Sequence, residues 1–176
     1  MNKIIFNHTS KYFQSTTYIA KYRTNKNVQN KVFTSNVQTI GLLVDESKFA
    51  HSEELLGEII SKGVTSQNVK IAAYRSKFDA KTTYSRPTFG KKDINWQGEI
   101  MADFLNEFIK TEFDLLISYY DSENAILMSV TNKSRAKFKV GFASVDNRLN
   151  HWMINTAVEN YRLFVFELFK YLKSIK

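Results

Sequence analysis

The stretch Val37-Gln38-Thr39-Ile40-Gly41-Leu42-Leu43-Val44 turns apolar at Ile40 and is rich in β-branched residues. A strand with one wet face alternates apolar and polar side chains, whereas a continuous apolar run must be covered on both faces. Such a strand belongs in a parallel sheet with helices above and below it, which sets the plan for the rest of the chain.

The later segments keep to this plan. Ser52 is placed to cap a helix with Glu53 and Glu54 in its first turn, Leu55, Leu56, Ile59 and Ile60 on its apolar face, and Gly63 as its stop. Val69 to Tyr74 reads as a second strand. Asp93 or Asn95 opens a helix whose stripe is Ile100, Met101, Phe104, Leu105, Phe108 and Ile109. Phe113 to Tyr119 is a third strand, again continuously apolar. Asp121 or Ser122 caps a segment over Ala125 to Val130, assigned as helix because the alternation requires one. Phe138 to Phe142 is a fourth strand and Trp152-Met153-Ile154 a short fifth. A last helix runs from about Val158 to Ile175, with Leu163 and Phe166 on its outer arc as an apolar pair for a protein contact or for cover by a neighbouring element. The expected fold is a single three-layer Rossmann-like α/β domain over residues 37–176. It has about four or five mostly parallel strands joined by right-handed crossovers, and a basic N-terminal arm, residues 1–36, precedes it.

Charge divides the chain at the same place. The net charge is +8, yet no Asp or Glu precedes Asp45, and the basic residues ahead of the first strand are Lys3, Lys11, Lys21, Arg23, Lys26 and Lys31. Of 25 basic residues, these six leave 19 to face 17 acidic ones from Val37 onward, the near-balance of an ordinary soluble surface. The arm also carries Phe6, Tyr12, Phe13, Tyr18, Tyr22 and Phe33 among amides and hydroxyls. That mixture suits RNA: cations meet phosphates, and rings such as Tyr12 and Tyr22 stack on unpaired bases. Alternatively, the aromatics anchor the arm on its own domain. A second basic cluster, Arg75, Lys77, Lys81, Arg86, Lys91 and Lys92, faces the single acid Asp79 in the long connection after the second strand, and the run Lys133-Ser134-Arg135-Ala136-Lys137 makes a third, with Lys133 and Arg135 as its expected contacts. Phosphate contact is the functional expectation for these clusters, and simple solvation the plain one.

Several chemistries are disfavoured. Without cysteine there is no disulfide, thiol nucleophile or Cys-based zinc site. His8, His51 and His151 lie far apart without obvious ligand companions, so no metal or cofactor is expected. The turn after the first strand, Asp45-Glu46-Ser47-Lys48-Phe49-Ala50, has no glycine to let a pyrophosphate approach the backbone, and it opens with two acids. Asp45 and Asp121 sit at strand ends, where they either cap helices or serve an enzyme as acids. The apolar opening Ile4-Ile5-Phe6 is shorter than the roughly 7 to 15 residues of a signal h-region, and no segment is apolar over the ~20 residues a membrane span needs. A soluble cytoplasmic protein is expected.

Four stretches carry a resemblance: Ile40-Gly41-Leu42-Leu43, Phe89-Gly90-Lys91-Lys92-Asp93-Ile94-Asn95-Trp96, Phe113-Asp114-Leu115-Leu116-Ile117, and Ser134-Arg135-Ala136-Lys137-Phe138-Lys139-Val140-Gly141. Together, over about residues 36 to 175, they resemble a small Bacteroidota family of uncharacterised α/β proteins, one member of which is an additional large-subunit ribosomal protein. The last stretch is also similar to the first Rossmann-like half of heptosyltransferase-type glycosyltransferases. With no second, nucleotide-sugar-binding half in this chain, that similarity implies fold alone. The resemblance implies a non-catalytic, ribosome-associated protein that binds large-subunit rRNA and neighbouring ribosomal proteins, with no membrane or small-molecule partner. The alternatives are a small enzyme acting on a phosphorylated or RNA substrate, and a protein-binding adaptor using Leu163 and Phe166.

Overall fold

The computed structural model describes residues 37–174 apart from Ala80, Trp96 and Gln97, so the arm of residues 1–36 lies outside the described residues. Strand β1 (Ile40–Asp45) is buried at every position. Its continuous apolar character follows from its place in mid-sheet, where β2 (Val69–Tyr74) pairs with it on one side and β4 (Leu115–Tyr119) on the other, both parallel. β3 (Thr88–Phe89) forms one edge beside β2, and β5 (Phe138–Phe142) and β6 (Trp152–Ile154) extend the other side. The sheet therefore has six parallel strands in the order β3-β2-β1-β4-β5-β6, the order of doubly wound dinucleotide-binding domains. The strand beyond the expected five is β3, whose two residues leave no periodic signature.

Helix α1 (Ser52–Ile60) packs with α4 (Tyr161–Ser174), and α2 (Asp103–Lys110) packs with α3 (Ala125–Lys133). Right-handed crossovers put these pairs on opposite faces: β1 steps to β2 in one direction, while β3 to β4 and β4 to β5 run in the other. Adjacent residues of β4 show both faces. Tyr119 packs edge-on against Phe164 of α4 at 5.0 Å and donates its hydroxyl to the Val158 carbonyl at 2.6 Å. Ser118 points the other way, 3.1 Å from the Thr131 hydroxyl of α3, which also lies 2.8 Å from that of Tyr120. Burial pushes the phenol of Tyr119 up and that of Tyr120 to about 12, so both stay neutral. On β1, Gly41 makes room for the Phe113 ring, which would stand 2.7 Å from a β-carbon there and itself packs on Phe108 of α2 at 5.0 Å.

Helix starts depart from expectation. Ser52 is the first residue of α1 rather than its cap, and its hydroxyl donates to Glu46 Oε1 at 2.6 Å. α2 begins at Asp103, not near residue 95, because residues 91–93 form a 3-10 turn and Ile94 bridges antiparallel to Ile100. Met101, expected in the apolar stripe, is consequently 62% exposed. Asn124, not Asp121 or Ser122, caps α3, accepting from the Ile126 and Leu127 amides. α4 starts at Tyr161, with Val158 buried ahead of it. Leu163 and Phe166 are exposed, as their helical positions required. Among the described residues no helix is long and apolar enough to cross a membrane.

Candidate nucleic-acid interface

In a doubly wound sheet the C-terminal strand ends open a crevice where the strand order reverses, here between β1 and β4. The turn after β1 is bound tightly to itself. Asp45 accepts the Ser47 amide on Oδ1 at 3.0 Å, and its carbonyl accepts the Lys48 and Phe49 amides. Lys48 Nζ reaches across the crevice to donate to Ser122 Oγ at 2.6 Å.

Glu46 organises one side of this crevice. Its carboxylate takes the Ser52 hydroxyl on Oε1, and Arg75 Nε and Nη2 on Oε2 at 3.1 and 2.8 Å. Arg86 Nε lies 3.3 Å from Oε1, and Arg86 Nη2 pairs with Glu53. The Glu46 and Arg86 side chains are 7% and 8% exposed. Arg86 was expected at a phosphate surface, but its guanidinium faces the interior; Arg75 is half-buried and shares the same carboxylate. Both charges are neutralised within the chain. Sequence could not show this, because the pairs join residues 29 and 40 positions apart.

These bonds fold the connection of residues 75–87 onto the strand ends. Arg75 lies over the Tyr84 ring at 5.4 Å, Tyr84 packs on Phe78, and the Ser76 amide donates to Ser47 Oγ at 2.7 Å. Gly90 lets this loop close over β3: a β-carbon there would stand 2.4 Å from Phe78 Cβ. Outward from this frame, Lys77, Lys81, Lys91 and Lys92 are all exposed at the C-terminal edge of β2 and β3.

Lys133 and Arg135 do not join that group. Lys133 ends α3 and Arg135 follows it at the opposite, N-terminal end of the sheet, where the Arg135 amide donates to the Ile109 carbonyl at the end of α2. Both are exposed, and Lys133 Nζ donates to the Gly98 carbonyl at 2.9 Å. Lys137 of the same run is bound to Asp114 at 2.7 Å, and exposed Lys110 in the last turn of α2 is a further cation at this end that the sequence pattern did not single out.

The same end receives the chain from the arm. Asp114 Oδ2 accepts the Gln38 and Thr39 amides at 3.0 and 2.9 Å, so the junction with residues 1–36 is fixed beside Lys137. The arm residues Lys3, Lys11, Tyr12, Lys21, Tyr22, Arg23, Lys26 and Lys31 themselves lie outside the described residues.

No group of three or more His, Cys, Asp or Glu among the described residues is placed to hold a metal ion. His51 lies 3.2 Å from Glu54, and His151 Nδ1 accepts the Lys139 amide at 3.0 Å. No curated protein and no solved structure matches the chain. One family model does, over residues 11–175, a span that takes in most of the basic arm as well as the whole sheet, and the chain therefore belongs to DUF6913, a family of unknown function.

Proposed function

We propose that this chain is a non-catalytic, cytoplasmic constituent of the large ribosomal subunit, bound to rRNA through residues 1–36 and through exposed lysines and arginine on a rigid α/β body. The observation that carries this is the separation of charge: six of the eight net positive charges lie ahead of Val37, with no acid among them. Supporting it, the chain enters the body at the sheet end that also bears Lys133, Arg135 and Lys137. Lys77, Lys81, Lys91 and Lys92 form a second, separate patch. The resemblance to a Bacteroidota family that includes a ribosomal protein supplies the choice of RNA. Mechanistically the protein neutralises phosphate and braces its neighbours, which asks of the body only that it be stiff.

Sedimentation tests this directly. The protein should travel with 50S particles and leave them as salt is raised, because each phosphate contact displaces counterions with a slope of roughly 0.7 to 0.9 per contact. Deleting residues 1–36 should leave a folded body, since the core begins at Ile40, and should greatly weaken the association. Full retention by the truncated chain would move the binding function away from the arm.

A further inference from the structure

The geometry points to Glu46 as an internal stand-in for a bound oxyanion: Ser52, Arg75 and Arg86 form an oxyanion site filled by the chain's own carboxylate, which accepts inorganic phosphate or sulfate once that carboxylate is removed. The position is the turn between β1 and α1, at the helix N-terminus and the strand ends, where doubly wound domains hold phosphate. Here that turn carries no glycine, and a side chain, not a ligand, receives the donors.

The donor set is that of an anion site. One hydroxyl and two guanidinium groups converge on Glu46, at 2.6 Å from Ser52, 2.8 and 3.1 Å from Arg75, and 3.3 Å from Arg86. Glu46 and Arg86 are each more than nine-tenths buried. Independently, Arg86 Nη1 is buried without a hydrogen-bond partner. Glu46 and Glu53 engage the Nε and Nη2 edge of the Arg86 guanidinium, and Nη1 lies on its other edge, so it is the Nε and Nη2 donors, with those of Arg75 and Ser52, that an oxyanion in place of Glu46 would meet. The charges agree: Glu46 and Glu53 balance Arg75 and Arg86, so the intact site repels a further anion. Removing Glu46 leaves an unbalanced cation that phosphate or sulfate would restore.

The test uses the full chain and does not depend on ribosome binding. Thermal unfolding of wild type, Glu46→Ala and the double variant Glu46→Ala, Arg86→Met is followed with increasing phosphate or sulfate against chloride at matched ionic strength. Wild type should show only the general salting effect of these anions. Glu46→Ala should be destabilised in chloride and regain stability with phosphate along a saturable curve, and the double variant should lose that response. A Glu46→Ala response no greater than wild type overturns the proposal, as does an undiminished response in the double variant. Should Glu46→Ala be unfolded in chloride, folding on addition of phosphate supports the site. Failure to fold, together with an unresponsive Glu46→Ser, whose shorter side chain also vacates the site, overturns it.

Discussion

Thr39 and Asp114 are bonded reciprocally across the foot of β1 and β4. Asp114 Oδ2 accepts both the amide and the hydroxyl of Thr39, at 2.9 and 3.1 Å, while Thr39 Oγ1 accepts the Asp114 amide at 3.0 Å. Burial opposes the charge on Asp114, but bonds from Lys137, Thr39 and Gln38 outweigh it and bring the carboxyl from 3.8 down to about 2. A carboxyl lowered on folding stabilises the protein fully above its unfolded value and loses that contribution as pH falls through the folded one. Asp114→Asn should therefore cost about 1 to 2 kcal/mol at neutral pH, allowing for the partial exposure of Lys137. Urea unfolding of both proteins from pH 6 to pH 2 should show the difference shrinking below about pH 4. A constant difference across that range would remove the proposed role of the Asp114 charge.

Gly141 on β5 faces the amide of Asn150, which would stand 2.5 Å from a β-carbon there. Asn150 is 2% exposed, and neither of its amide atoms has a hydrogen-bond partner. Gly141→Ala should destabilise by about 1 to 3 kcal/mol through overpacking. Asn150→Ala should cost little, because it breaks no hydrogen bond, and in the double variant it should recover most of the Gly141→Ala loss. Additive losses in the cycle would show that the strain lies elsewhere.

Lys139 reaches from β5 to the C-terminal end of α3, donating to the Thr131 and Asn132 carbonyls at 2.7 and 3.3 Å. Burial pushes its amine down from 10.5 to about 8. Between those values the unfolded chain binds the proton that the folded chain has released, so stability gains from this group as pH rises from 8 to 10.5. Relative to Lys139→Met, the wild-type melting temperature should climb over that window. A difference that is flat, or that falls, would mean the helix-end carbonyls hold the ammonium charged throughout.

The parts of the fold written in local pattern were legible in sequence, and those that depend on distant partners were not. β1 and β4 could be read because mid-sheet strands show unbroken apolar character, and the outer arc of α4 because a helix repeats every ~3.6 residues. Two-residue β3 has no period to read. Ile100 resembled a helical stripe residue, yet its register is set by a bridge to Ile94. At the candidate interface, counting cations could not show that Arg75 and Arg86 are paired with Glu46 and Glu53, since those pairs exist only once β1, α1 and the 75–87 loop come together. Asp121 and Ser122 were plausible caps by type, but Asn124 is the residue at the point where the helix begins.

Asp45 and Asp121 distinguish a binding protein from an enzyme built on the same crevice. Asp45 is 3% exposed and holds the Ser47 amide, a bond that asparagine can also accept, while Asp121 offers its carbonyl to Ser144 Oγ at 2.5 Å. Asp45→Asn and Asp121→Asn should thus leave 50S occupancy and cellular complementation unchanged. An enzyme using either as a general acid or base would lose about 10²-fold or more in rate. Failed complementation with normal folding and normal occupancy would favour the enzyme.

The proposed RNA binding by the arm divides into attraction by charge and recognition by stacking, and variants separate the two. Neutralising Lys21, Arg23 and Lys26 together removes up to three phosphate contacts and should flatten the salt dependence of binding, on rRNA and on an unrelated duplex alike. Tyr12→Ala and Tyr22→Ala remove rings that release no counterion, so the slope should hold while affinity for rRNA falls, each stacked base being worth about 1 to 3 kcal/mol. An unrelated duplex presents no unstacked bases and should bind the tyrosine variants as it binds wild type. Filter binding over a salt series, with each variant on both RNAs, makes the comparison. Equal losses on both RNAs from the tyrosine changes, or none on either, would assign the rings to docking the arm on its own body and leave RNA recognition to the cations.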